Sequence, residues 1–588
     1  MTGMFRAWGT SVPRSTSGYL SALLWIIAAV VVVWPVVALV IGTLWDSAVG
    51  MDPNWGFGAF QRAVNSPRFF PALLTTALFC VLVVPSSVFL ALILATLSQF
   101  SNARLRWLIS PTLIISYTIP PLFYSVGYAL VGTGRAGAGN DLLSYLAGTS
   151  FTPLNLTSFA GLIFVSILRA TAYVYILLVG PLSTVGQSQD EAARIAGGGS
   201  WVRLTMLVST LKPSIAAATV LVTIGTVQVF DAVYILGSNV NIYTLSTLTY
   251  GLLQQQQADF PAATAIGTML LALVAVLILL QNFATRSGRF TTVAVKPEAR
   301  LRLSLGPWRP VFEIFIVLYF VFSLLVPVCS LLVTSVIPFP GVYNSFTFAN
   351  YTRIWSDTTI LHAAMTTFIL ANSGAVAAVV FAMMMIRLRA RQARESGRVL
   401  VDVIMLAPKV MHGIVTALAF IWAVTIFSAT RGLYGTGFLM FLALTVSVVP
   451  VSYLLISSAY AQVDSSLEHA ARISGSHPLH AQLRIQVPLL APTLANAWFL
   501  SAVFIAGSLD IPLVLGSVNL RVIATTVFEL YSLSGDYGAA AALLVSMLIV
   551  FAITALLVRG FVLLIRADLR PWRSARTRPA LAQGGVTA

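Results

Sequence analysis

Seven polar side chains fall inside stretches otherwise apolar enough to cross a membrane: Arg169, Tyr173, Gln228 and Asp231 in the first half of the chain, and Lys409, His412 and Asp510 in the second. An ionisable group in hydrocarbon is costly unless it pairs or lines water, so each is a functional candidate by default. The chemistry they offer is contact with a solute in transit; the alternative is a structural hydrogen bond between helices. Arg169 is expected to face a bundle interior, where an ion pair with Asp231 is conceivable. Asp231 and Asp510 open two similar strings, DAVYILG and DIPLVLG. Catalytic chemistry is harder to find. A phosphate-binding GxxxxGK[ST] loop needs Lys directly after Gly, and Lys212, Lys296 and Lys409 all lack that neighbour. His477 and His480 have a spacing that could hold a metal, but no further ligand lies nearby in sequence, so no metal and no cofactor is expected.

The elements that must position these residues are membrane helices. Of the 588 residues 58% are hydrophobic and 9% charged, with a mean hydropathy of +0.90, against about 25% charged in soluble domains. A helix needs roughly 20 apolar residues to cross the hydrocarbon. The runs here are that long and lack the alternation of barrel strands, which predicts an all-α polytopic membrane protein. Twelve spans are expected, near 20–44, 70–97, 107–131, 158–182, 214–237, 262–283, 311–337, 360–387, 400–425, 437–460, 493–516 and 539–565. The run after Arg6 and Arg14 is too long for a signal peptide and reads as a retained first span. Cys80 and Cys329 lie inside spans and are expected to be packing residues rather than a disulfide.

Charge placement sets the expected orientation. The net charge of +16 does not point to nucleic acid, because the excess gathers in short segments on one side: Arg104 and Arg106, the linker from Arg286 to Arg309, the cluster Arg387 to Arg398, and a tail with Arg566, Arg570 and Arg573. The positive-inside rule makes that side cytoplasmic, along with both termini, and brings the basic clusters against anionic membrane lipid. The linker at 284–310 separates two sets of six spans, residues 1–283 and 311–566, leaving a tail at 567–588. Six is even, so two such repeats insert in the same direction. Interruptions recur in matching places, with Pro120 and Pro121 in YTIPPLFYSVGY and Pro408 in LAPKVMHGIV. Proline removes a helical donor, so spans 3 and 9 are expected to bend beside the solute route.

One polar pattern occurs twice in cytoplasmic loops, after the fourth span of each half: QDEAARIAGGGSWVRL within 189–215 and SLEHAARISGSHPLHA within 466–494. Each holds Ala-Ala-Arg-Ile, then a Gly, then an amphipathic stretch. The pair resembles the EAA loop of ABC-importer permeases, the inner-membrane components of binding-protein-dependent transport. The first copy keeps Glu191, Ala192, Ala193 and Gly197. The second keeps Ala470, Ala471 and Gly475, with His469 where the family usually has Glu and with Glu468 one position earlier. It also keeps Pro488 and Pro492, whereas the first copy has only Pro213 nearby.

That resemblance implies a transport subunit and not an enzyme, placed in a bacterial plasma (inner) membrane and carrying two permease repeats in one chain. It implies two cytoplasmic ABC ATPase subunits, one docked on each EAA loop, and an extracytoplasmic solute-binding protein. The string LSGD at 533–536 is similar to an ATPase signature but lacks its second Gly, so hydrolysis is expected on the separate subunits. Fused halves and the DIPLVLG stretch are similar to the ferric-iron branch, with thiamine, aminoethylphosphonate and polyamine relatives, and ferric iron is the first expectation. Arg169 and the absence of an acidic cluster in the spans fit an anionic or neutral solute about as well, and they argue mildly against a bare polycation. A gradient-driven secondary transporter with two parallel six-helix halves is the alternative; it would use Asp231 or Asp510 as coupling acid and leave the paired EAA loops unexplained.

Overall fold

The computed structural model describes residues 14–132, 137–148, 154–183, 200–286, 305–343, 345–411, 413–463, 482–517 and 520–568. Among them the chain is helical throughout, without strands. Nine helices are long and apolar enough to cross a bilayer, and three sharply bent helix pairs bring the count to twelve. The spans are numbered in chain order. Span 1 is Ser21–Thr43, span 2 Phe69–Phe100, span 4 Phe159–Leu182 and span 6 Phe260–Gln281. Span 7 is Gly306–Ser335, span 8 Thr358–Arg391, span 10 Gly437–Tyr460, span 11 Arg484–Ala506 and span 12 Tyr537–Ile565. Span 3 is the bent pair Arg106–Thr118 and Pro121–Gly132, span 5 Leu211–Val227 and Asp231–Val240, and span 9 Glu395–Val410 and Gly413–Thr425.

Local sequence explains where the helices deviate. Pro120 excludes helical geometry at the residue before it, and Ile119 is extended, turning span 3 by 102°. In span 9 the short 3₁₀ turn Ala407–Val410 contains Pro408 and ends at an extended Met411, turning the chain by 109°. Spans 1 and 7 each carry a π-helical turn, Ala29–Val33 and Val321–Leu325, just before Pro35 and Pro327. The wider turn accommodates a proline ring that would otherwise meet the carbonyl four residues back.

The two halves match down to hydrogen bonds. A short helix precedes span 2, Gly58–Asn65, and another precedes span 8, Ala349–Ser356. Arg62 in the first pairs with Asp259 at 2.8 Å, and Arg353 in the second pairs with Asp536 at 2.6 Å. Asp259 and Asp536 cap spans 6 and 12, accepting from the backbone N–H of Ala262 and Ala539. The helix Leu245–Leu253 begins with its Leu245 N–H on Thr76 Oγ1 of span 2, as Ile523–Phe528 begins with its Ile523 N–H on Thr367 Oγ1 of span 8.

The halves of the chain are not separate bodies, because each first span crosses to the other half. Span 1 lies on span 9: Trp34 Nε1 donates to Ala423 O at 3.0 Å, and Trp45 just beyond it packs on Trp422 with ring centres 5.6 Å apart, while Trp422 Nε1 donates to Thr264 Oγ1 of span 6 at 2.8 Å. Gly42 is needed here, since a Cβ would run into the Trp422 ring. Span 7 lies on span 3, where Ser330 Oγ donates to Gly127 O at 2.6 Å, Tyr128 OH donates to Phe322 O, and Ser323 Oγ meets Ser116 Oγ at 3.0 Å. Beyond the spans, Tyr343 OH donates to Asp141 Oδ2 at 2.9 Å. Burial, helped by that carboxylate, pushes the Tyr343 phenol up to about 12, so it remains a donor at physiological pH. Of the two cysteines, Cys80 is half-buried as a packing residue should be, whereas Cys329 is exposed on the flank of span 7, because the arm packs through its other face.

Candidate functional site

A cavity of about 460 Å³ lies between the two halves, where the breaks of spans 3 and 9 meet spans 4, 5, 10 and 11. Arg169, Tyr173, Gln228, Asp231, Pro121, Pro408 and Asp510 all line it, although they come from four spans and the short helix after span 11. Pro120 lies one residue behind, packed so closely on Gly507 that a Cβ there would strike its ring. His412 lies outside the described residues, as do Glu191, Ala192, Ala193, Gly197, Glu468, His469, Ala470, Ala471 and Gly475, so the two polar loops have no described geometry.

Span 4 presents Ser166, Arg169 and Tyr173 at three- and four-residue spacing, so one helix face delivers all three to the cavity. Arg169 does not form the ion pair with Asp231 that the sequence allowed. Its guanidinium donates to Ile119 O at 2.8 Å and Ser116 O at 3.4 Å, and its Cζ sits 5.7 Å from the centre of the Tyr124 ring. The break in span 3 frees carbonyls at a helix C-terminus, where a cation is favoured by both hydrogen bonding and the helix dipole. That demand outweighs the more distant carboxylate. Gln228 does the same for span 9, donating from Nε2 to Val410 O at 2.8 Å and to Lys409 O at 3.4 Å. Lys409 donates in turn to Tyr173 OH at 3.1 Å, with Nζ 5.6 Å from that ring's centre.

The acids are placed differently from one another. Asp510 Oδ1 accepts from Ser508 Oγ at 2.8 Å and from the Ile511 N–H at 2.9 Å, and its carboxylate fills the space a side chain on Gly413 would need. Asp231 interacts electrostatically with both Asp510 and Arg169, and its Oδ1 is buried without a hydrogen-bond partner. Ser166 Oγ and Thr416 Oγ1, both in the cavity wall, are also buried and unpartnered. Such groups cost about 1–3 kcal/mol each when unsatisfied, so a ligand that meets them gains that much. Tyr117 stacks on Tyr173 at 5.4 Å and meets Phe504 edge-on at 6.0 Å, giving the cavity an aromatic wall. Next to Asp231 the wall residue Phe230 packs on Tyr234 and Tyr250, and the Tyr234 ring centre lies 5.3 Å from that of Phe528 of the other half.

Sequence reasoning missed Ser166, Thr416, Tyr117 and Phe504 as wall residues. For Ser166 the signal was its place three residues before Arg169 on the same helix face; for Tyr117 it was the YTIPP string itself. Thr416 and Phe504 are ordinary span residues and carried no mark.

The architecture among the described residues is an all-helical bundle with paired broken spans around a polar cavity. Residues 87–289 match the family described as binding-protein-dependent transport system inner membrane component. That stretch contains Arg169, Tyr173, Gln228 and Asp231, so the first half's share of the cavity wall lies within the matched domain. Over 270 residues the chain is 29% identical to the lactose transport system permease protein LacF of Rhizobium radiobacter, covering 44% of this chain and 91% of LacF. Over 436 residues it is 23% identical to the ferric transport system permease protein FbpB of Actinobacillus pleuropneumoniae, covering 73% of this chain and 62% of FbpB. Among solved structures, a chain of a bacterial ABC transporter involved in the import of the acidic polysaccharide alginate is similar over 43% of this chain and 94% of its own length, at 14% identity and a TM-score of 0.37.

Proposed function

We propose that this chain carries both permease repeats of one ABC importer, residues 1–283 and 311–566 joined by the basic linker 284–310, and that solute passes through the cavity between them. The observation that carries the reading is the cavity wall itself, to which both halves bring an aspartate from the start of a short helix, Asp231 and Asp510. The stretches at 189–215 and 466–494 would each receive one cytoplasmic ATPase through Glu191 to Gly197 and Glu468 to Gly475. With both termini cytoplasmic, an extracytoplasmic binding protein would deliver solute above Tyr234 and Phe528.

The described wall holds two cations, Arg169 and Lys409, and two acids, Asp231 and Asp510, so it is neutral overall. A bare ferric ion or a dianion would bring uncompensated charge into it. A neutral polyhydroxylated solute would donate to Asp231, meet Ser166 and Thr416, and lay an apolar face on Tyr117 and Tyr173. The similarity to a lactose permease supports a carbohydrate over ferric iron. The test is uptake by vesicles holding this chain with a candidate ATPase and binding protein from the same organism, offered radiolabelled lactose or ferric citrate in separate assays. ATP-dependent uptake of the sugar that falls with Asp231→Asn supports the reading. Uptake driven by an ion gradient without any ATPase overturns the importer, and ferric uptake overturns the solute class. Gly197→Trp and Gly475→Trp should each abolish ATPase co-purification.

A further inference from the structure

The two breaks in the cavity wall are held by different parties. At the first, the carbonyls of Ser116 and Ile119 are met by Arg169, a residue of the same half. At the second, the carbonyls of Lys409 and Val410 are met by Gln228, a residue of the other half. Gly507 occupies the position matching Gln228, three residues before its aspartate, and offers no donor to the first break. The Lys409 ammonium is likewise held across the seam, by Tyr173.

We propose that Gln228 is a positioning residue that ties the second break to the seam between the halves. When the halves part, the turn at 407–411 loosens and Lys409 is released into the cavity, while the first break keeps its shape. The inference rests on the reading of the cavity as a route between moving halves. Physically, the chain leaves helical geometry at the extended Met411, so the carbonyls of Lys409 and Val410 lie at a helix C-terminus and take the Gln228 amide as donor. A contact made in one arrangement of the halves and absent in the other must bias both equilibria together. Arg169 cannot do this at the first break, because its partners move with it.

The experiment needs neither ATPase nor solute. Full-length chain with Cys80→Ala and Cys329→Ala receives a single cysteine, Met411→Cys at the second break or Ser125→Cys beside the first, and is labelled in proteoliposomes with a water-soluble maleimide. Both positions line the cavity. Gln228→Glu keeps size and removes the donor. It is expected to raise the labelling rate at 411 roughly tenfold, the worth of a buried hydrogen bond, and to leave 125 within about twofold. An unchanged rate at 411, or an equal rise at both positions, overturns the proposal. Should Gln228→Glu fail to yield monodisperse protein, Gln228→Met serves as the isosteric apolar variant under the same two outcomes. Failure of the importer reading would show separately, as loss of ATPase co-purification without effect on these rates.

Discussion

Counted from the two Ala-Ala-Arg-Ile stretches, Arg169 of the first half matches Ser447 of the second, and Tyr173 matches Val451; counted from the aspartates, Gln228 matches Gly507. Ser447 and Val451 line the cavity as their counterparts do. What the halves share is therefore scaffold: the broken third span, the capped last span, the π-turn before a proline, the acid at the start of a short helix. What they do not share is the polar equipment of the wall. The first half supplies guanidinium, amide and phenol where the second supplies a short hydroxyl, a methyl-bearing side chain and a hydrogen. The two halves have similar backbone geometry around the cavity, while their side chains differ, so that the two walls present different chemistry. The aspartates Asp231 and Asp510 are the matched pair of like charge in the wall, whereas Arg169 and Tyr173 have Ser447 and Val451 at the equivalent positions.

The arms that cross between halves show the same inequality, and breaking them should give the largest effects. Span 1 is held on span 9 by packed tryptophans, so Trp422→Ala should cost about 3–5 kcal/mol in a denaturant titration of the purified chain. Ser330→Ala on the other arm removes one buried hydrogen bond and should cost only about 1 kcal/mol. Equal losses would mean the tryptophan cluster is not the stronger lock.

Within the cavity wall the contrast between Arg169 and Ser447 can be read the same way. Arg169→Ala leaves the Ser116 and Ile119 carbonyls bare and should cost about 1.5–3 kcal/mol, whereas Ser447→Ala, which removes only a bond to Leu444 O, should stay within about 0.5 kcal/mol. A similar pair is Gly413 and its counterpart Ser125. Gly413→Ala drives a Cβ into the Asp510 carboxylate and should cost about 1–3 kcal/mol through overpacking. Ser125→Ala, which loses a bond to Pro121 O, should cost less than half of that. Reversal of either order would sink the claim that equivalent positions carry unlike loads.

Much of this was legible before any coordinates. Long apolar runs give the spans because lipid leaves a backbone no other partner, and PP at 120–121 and APKV at 407–410 mark the bends because proline cannot donate. The recurrence of DAVYILG and DIPLVLG located the acids. Through-space partnership was not legible. Arg169 could be expected to seek a partner, but that two freed carbonyls would draw it rather than Asp231 depends on where the span 3 break lies against span 4. The exchange of arms was equally hidden, since nothing in the π-turns at 29–33 and 321–325 says which neighbour each will cross to. Lys409 reads as a residue within span 9 and sits at its break, because Pro408 and the extended Met411 interrupt the helix there.

The smallest effects should come from the feature the halves share most closely. Arg62 and Arg353 occupy the same place on matching short helices and reach matching acids, but both guanidinium groups are substantially exposed, with side chains 44% and 70% accessible. Exposed pairs are worth about 0.2–1 kcal/mol because water and salt screen them. Arg62→Ala and Arg353→Ala should therefore each lower stability by that little, and the difference from the parent chain should shrink as salt is raised from 50 mM to 0.5 M, where the Debye length falls to a few ångströms (~4 Å). Asp259→Asn and Asp536→Asn keep a side-chain oxygen to cap spans 6 and 12, so they should match the arginine variants. If one half loses several times more than the other under the same conditions, the two clasps are not equivalent, and the symmetry inferred for the scaffold fails at a place where residue type, position and partner all coincide.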